Sequence, residues 1–146
     1  MPKVIESVRF GELELADEAL VEFPLGLIGL PGSGYALLDV SPESGIRWLH
    51  STEDPALALP VLDPRAALPG FELAVGVEER QRIGTEDLDQ TQVYVTVRAS
   101  PDPAQSTVNL RAPLVLWQGR GHQVINTAPG AALRAPLFAQ ATGGTG

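Results

Sequence analysis

The stretch Thr91-Gln92-Val93-Tyr94-Val95-Thr96-Val97-Arg98 alternates with a period of two. Val93, Val95 and Val97 fall on one face, with Tyr94, Thr96 and Arg98 on the other, which is the pattern of a β-strand rather than a helix. Phe71-Glu72-Leu73-Ala74-Val75 alternates in the same way, and Gly11-Glu12-Leu13-Glu14-Leu15 reads as a half-buried strand after a turn. Ile46, Trp48 and His50 share a third strand face, opposite Arg47, Leu49 and Ser51. Trp48, Val93, Val95 and Val97 are assigned to the core.

Outward from these segments, residues 35–40, 57–62, 113–117 and 123–125 are apolar runs too short for helices. Pro60 lies inside one of them and argues for an edge strand or a bulge there. Thirteen prolines and fifteen glycines are scattered along 146 residues and cut the chain into short pieces, as an all-β domain requires. Helical signals are few. Thr85-Glu86-Asp87-Leu88 reads as one helical turn with Thr85 as N-cap, and residues 16–20 as another. The expectation is an all-β, single-domain antiparallel fold, barrel-like or a sandwich. It would have about nine or ten short strands and one or two short helical turns. Residues 1–140 form the domain, and 141–146, with nothing to bury, a flexible tail.

Hydrophobic residues make up 44% of the chain and charged residues 19%, the balance of a globular protein. There is no cysteine, which removes disulfides, thiolate nucleophiles and cysteine-based zinc sites together. The N-terminal residues carry one lysine and no apolar leader, and apolar stretches break within about ten residues, short of the roughly 20 that span a bilayer. A soluble, cytoplasmic protein without membrane contact is expected. The net charge of −8 is unevenly distributed. Residues 1–102 hold all eighteen acids and seven basic residues, a net −11, whereas residues 103–146 hold three arginines and no acid. Such a chain is expected to repel nucleic acid, and its acidity serves either solubility alone or the attraction of a basic partner.

Residues that carry chemistry are scarce. His50 and His122 are the only histidines. His50 shares a face with Trp48 and reads as a packed or hydrogen-bonded core residue, and His122, among Gly119, Arg120, Gly121 and Gln123, as a hairpin-tip residue. Ser51 beside His50 is no catalytic pair, because neighbours on a strand point to opposite faces. Gly26, Gly29, Gly32 and Gly34 lack the strand–helix context of a phosphate loop, and Pro31 interrupts them. Glu53-Asp54 and Glu78-Glu79 read as solvated charge at strand ends and loops. No catalytic residue, metal ligand or cofactor is assigned.

Three loop segments have distinctive composition. Phe23-Pro24-Leu25-Gly26-Leu27-Ile28-Gly29-Leu30 must pack over the end of a barrel or present an apolar patch to a partner. Trp48-Leu49-His50-Ser51-Thr52-Glu53-Asp54-Pro55 runs from a strand into an acidic turn. In Thr107-Val108-Asn109-Leu110-Arg111-Ala112-Pro113, Asn109 can bond local backbone and Pro113 can open the next strand.

With Val61-Leu62-Asp63-Pro64 and Gly121-His122-Gln123-Val124-Ile125, these segments, in this order, resemble the FliW family of flagellar assembly factors. The chain departs from the family at Leu30, where an aromatic residue is usual. The resemblance implies a non-enzymatic protein that binds the translational repressor CsrA, antagonises it noncompetitively, and also binds flagellin. Accumulating flagellin would then capture the factor and free the repressor. The resemblance also implies partner contacts through Phe23, Pro24, Leu27, Ile28, Leu30, Glu53, Asp54, Asn109, Leu110, Arg111 and Pro113. Two other classes remain open: a flagellin chaperone or interaction module without a CsrA role, and a small barrel enzyme or ligand binder using His50 or His122. A monomer is expected, since no heptad seam or long exposed edge strand is evident.

Overall fold

Short alternating segments leave backbone donors and acceptors that only neighbouring strands can satisfy. The computed structural model describes residues 3–24, 26–27, 32–39, 46–68, 71–85, 87–98, 101–102, 105–129, 131 and 135–136. In chain order these residues form β1 (Lys3–Ser7), β2 (Gly11–Leu15), β3 (Leu20–Glu22), β4 (Gly34–Leu38), β5 (Ile46–Ser51) and β6 (Ala58–Leu62). Two helices follow, α1 (Pro64–Ala67) and α2 (Val77–Ile83). The remaining strands are β7 (Gln92–Arg98), β8 (Thr107–Val108), β9 (Leu114–Trp117), β10 (Arg120–Gln123) and β11 (Ala135–Pro136). Single 3-10 turns lie at Asp17–Ala19 and Leu88–Gln90. The expected tail, residues 141–146, lies outside the described residues.

The architecture is all-β, and it is a barrel rather than a sandwich. Strands pair in the order β7-β6-β5-β4-β3-β10-β9, and β9 pairs back onto β7, closing a ring of seven. All pairs in the ring are antiparallel except β3 with β10, which run parallel with Glu22 opposite Arg120. The amide of Glu22 donates to the carbonyl of Gly119 at 3.0 Å across that seam. β8 and β11 extend from the C-terminal end of β7, and β1 pairs with β2 as a separate hairpin.

The alternation read from the sequence holds in β7, but its faces are assigned differently. Tyr94 points inward and packs with Val21, Phe23, Tyr35, Leu49, Val61, Leu114 and Leu116, which together fill the barrel. Val93 and Val95 are buried on the outer face instead. Val93 lies beneath α2 and residues 71–75 with Ile83, Val115 and Val124, and Val95 beneath α1 with Leu68 and Val108. Trp48 is half-buried, also on the outer face, under the β1–β2 hairpin with Ile5 and Leu15. Its ring meets Phe10 edge-on at 5.5 Å. Arg47 projects inward and donates to the Tyr94 hydroxyl at 2.8 Å.

Other expectations are refined. Residues 71–75 are not a ladder strand, because side-chain and loop partners take their backbone groups. Ala74 donates to Asn126 Oδ1 at 2.9 Å, and its carbonyl accepts from Thr127 at 2.8 Å. β6 lies between β5 and β7, yet only Val61 and Leu62 pair with β7, so Pro60 sits in the half bonded to β5 alone. That half has the edge character proline requires. The 3-10 turn near residue 88 is capped by Asp87, which accepts from the Asp89 amide at 3.1 Å, and not by Thr85. Thr85 Oγ1 instead accepts from Asp87. The β9–β10 turn is Gln118-Gly119, with φ of 53° and 80°, the positive pair that two-residue hairpin loops of type I′ require.

Closure depends on a close approach inside the barrel. Phe23 is fully buried, edge-on to Tyr35 at 5.6 Å between centroids. A Cβ added to Gly121 would lie under 3.0 Å from three atoms of the Phe23 ring. Overpacking of this kind costs about 1–3 kcal/mol. Gly121→Ala is therefore expected to lower the stability by about that amount, seen as a reduced urea midpoint at unchanged m-value. An unchanged midpoint would show that Phe23 has room to move.

Candidate functional site

Strand direction brings the described residues of the three distinctive segments to one end of the barrel. The C-terminal ends of β3, β5, β7 and β10 and the N-terminal ends of β4, β6 and β9 all lie there, as the antiparallel pairs and the parallel β3–β10 pair require. The connections at this end carry residues 23–24, 26–27, 32–34, 52–57 and 109–113. Hairpin turn Gln118-Gly119 is at the opposite end.

On one side of this end, the Trp48–Pro55 segment folds into a turn held by its own polar side chains. Ser51 Oγ accepts from the amides of Glu53 and Asp54 at 3.0 and 2.9 Å, and Asp54 Oδ1 accepts from Ala56 at 2.9 Å. Glu53 Oε2 accepts from the amides of Ser33 and Gly34 at 3.2 and 3.3 Å. Glu53 and Asp54 are both exposed. Burial, and after it the negative field of Glu53 and Asp54, raises the Tyr35 phenol above its ordinary pKa.

Residues 23–24 and 26–27 lie at this end. Phe23 donates its amide to Ser33 at 2.8 Å, and Gly26 donates to the Phe23 carbonyl. Phe23 is buried and supports the surface from beneath, Pro24 is exposed, and Leu27 is buried at the barrel mouth. Ile28 and Leu30 lie outside the described residues.

In the 109–113 connection, Asn109 Oδ1 accepts from the amides of Arg111 and Ala112 at 3.0 and 3.1 Å, and the Asn109 amide donates to the Thr96 carbonyl. Arg111 is exposed, Leu110 half-buried and Pro113 buried ahead of β9. Leu27, Asn109 and Arg111 meet at a cleft of about 500 Å³, which also takes in Leu59, Arg98, Leu114 and Ile125. The sequence reading missed these last four. Arg98 closes the alternating face of Tyr94 and Thr96, a signal pointing to the barrel mouth.

Asn126 was also missed. It is 3% exposed, and its Nδ2 donates to the carbonyls of Glu72 and Leu110 at 2.9 and 3.2 Å. Its own amide donates to the Arg111 carbonyl at 2.7 Å. One buried amide side chain thus ties the 109–113 loop to residues 72–74.

Both histidines are buried in strands. His50 is fully buried, with Nδ1 at 2.6 Å from the Ser51 carbonyl and Nε2 at 2.8 Å from Ser7 Oγ. Ser7 Oγ already accepts from the amides of Arg9 and Phe10, so its proton goes to Nε2 and the Nδ1 proton goes to Ser51. The bond fastens the β1–β2 hairpin to the barrel. His122 is not at the hairpin tip but in β10 opposite Val115, 9% exposed, with Nδ1 lacking a partner. Among the described residues no cluster of His, Asp and Glu could hold a metal ion.

A ring of seven strands with distinctive loops around an apolar mouth belongs to the class of small β-barrel proteins. The chain belongs to the FliW family: the model described as FliW protein matches residues 3–137. It is similar to the flagellar assembly factor FliW of Thermotoga neapolitana, 31% identical over 126 residues, covering 84% of this chain and 85% of that one. The flagellar assembly factor FliW of Geotalea uraniireducens is 28% identical over 136 residues, covering 92% and 83%. A crystal structure of a flagellar assembly factor FliW has the same fold, with a TM-score of 0.83 at 24% identity over 93% of this chain and 97% of that one. The matches are to a family of assembly factors, not to a known enzyme family.

Burial lowers the His122 pKa below 6.5, and Arg82 and Arg120 lower it further. The folded state therefore resists a proton that the unfolded chain accepts. Stability is unaffected above pH 6.5 and falls as pH drops below it, by at most about 1.4 kcal/mol per pH unit from this group. Urea unfolding between pH 7.5 and 5.5 checks this: the slope should be shallower in His122→Leu, and equal slopes would assign the pH effect to other groups.

Proposed function

We propose that the chain is a flagellar assembly factor that binds CsrA and antagonises it noncompetitively, and that it also binds flagellin. It would thereby couple flagellin translation to filament assembly in the cytoplasm. The observation that carries this reading is the family match across residues 3–137, nearly the whole chain. The gathering of three of the family's segments, in their described residues, at one end of the barrel supports it, because a shared surface is what partner binding needs.

Electrostatics supplies a mechanism for the antagonism. A repressor that binds RNA must display basic surface to meet phosphates, and residues 1–102 carry the complementary acid. Glu53 and Asp54 present two of those charges at the barrel end, on a turn stiffened by Ser51. Docked beside the RNA groove rather than in it, this field repels incoming RNA without occupying the groove. No direct contact with nucleic acid is needed, and a monomer suffices.

Glu53 also holds the 32–34 turn, so the test keeps an acceptor oxygen there. Glu53→Gln combined with Asp54→Asn removes the charge and retains the hydrogen-bonding shape. At low salt the double variant should need roughly threefold to tenfold more protein than the parent to release RNA from CsrA, measured by fluorescence anisotropy. The difference should shrink at high salt. Antagonism undiminished at low salt would rule out the electrostatic mechanism.

A further inference from the structure

We infer that the cleft at the barrel mouth is a docking site for a partner-protein segment that is apolar and carries carboxylate side chains. The inference rests on the reading of this barrel end as a protein-binding surface and adds the chemistry of what it takes.

The cleft follows from strand topology. β6 and β7 pair only through Val61 with Thr96 and Leu62 with Val95, and beyond that point β7 turns to pair with β8. Ala58, Leu59 and Pro60 are left with β5 alone on one side, and the barrel opens between the diverging strands. The opening, about 500 Å³, has an apolar floor of Leu27, Leu59, Ala112 and Leu114, with Ile125 46% exposed at its edge. That volume suits a few inserted side chains.

The charge at its rim is opposite to that of the chain as a whole. Arg98 and Arg111 both line the cleft and are exposed, and no acid is among its described lining residues. Among the described residues neither arginine forms an ion pair. Arg111 is also held in place, its amide bonded to Asn109 Oδ1 and its carbonyl to the Asn126 amide. Two arginines without ion pairs beside an apolar floor, in a protein of net charge −8, select an apolar segment bearing carboxylates. The cleft is open to solvent and bounded by strand edges, which favours a polypeptide over a free carboxylic acid.

Three probes test this by amide chemical-shift titration of the full chain: a blocked peptide of alternating leucine and glutamate, its leucine–lysine counterpart, and dodecanoate. The leucine–glutamate peptide should shift the amides of Leu59, Arg98, Arg111 and Ile125. It should bind about tenfold more tightly than the lysine peptide, against the overall charge of the protein. Arg98→Glu with Arg111→Glu should weaken it about tenfold while leaving the remaining amide spectrum in place, which verifies the fold. Equal or tighter binding of the lysine peptide, indifference to the double variant, or binding of dodecanoate alone would each overturn the inference. None of these outcomes bears on whether the chain binds CsrA or flagellin.

Discussion

The contact of Phe23 with Gly121 is the constraint from which the rest of the molecule follows. Phe23 fills the centre of the barrel, and only a residue without a side chain can stand across from it in β10. That fit lets β10 come alongside β3 in parallel and completes the ring of seven strands. Closure matters because short strands with free edges invite pairing with other chains, and the ring leaves an edge only where β6 and β7 diverge. The outer faces then need cover, which the β1–β2 hairpin, α1, α2 and residues 71–75 provide over three separate apolar clusters.

A closed barrel also fixes which loops share an end. The turn-setting residues of the three distinctive segments have local structural duties: Ser51 and Asp54 shape one turn, Asn109 another, and Glu53 braces residues 33 and 34. These duties do not compete with a role in binding. They hold the turns in place, with Glu53 and Asp54 on the β5–β6 connection and Arg98 and Arg111 at the cleft where β6 and β7 diverge. A surface with an acidic side and a basic, apolar mouth can meet two partners of different chemistry.

The strands were legible because alternation is local: β2, β5, β7 and β9 lie where the sequence placed them. The closure was not, since a parallel pair between residues about 100 apart leaves no periodic trace. Residues 71–75 alternate like a strand, but their backbone partner is the side chain of Asn126, which no strand pattern announces. Both helices carried boundary signals that went unread. Asp63-Pro64 is an N-cap followed by a first-turn proline, and Glu78 and Glu79 open α2, with Arg80 and Arg82 near its end and left-handed Gly84 beyond. At four and seven residues the helices are too short for a helical period to stand out. Val93 and Val95 were rightly placed in the interior, but under covering helices and not inside the barrel. Of the candidate surface, the turn residues could be read directly, whereas the cleft could not, because Leu59, Arg98 and Ile125 meet only once the ring is closed.

Whether this barrel end acts as a partner switch is tested most directly by titration calorimetry of the purified chain against CsrA and flagellin from its own organism. The account predicts binding to both, with added flagellin displacing the chain from CsrA. Binding to flagellin alone would contradict the switch and leave a chaperone, and binding to neither would contradict the proposed function altogether.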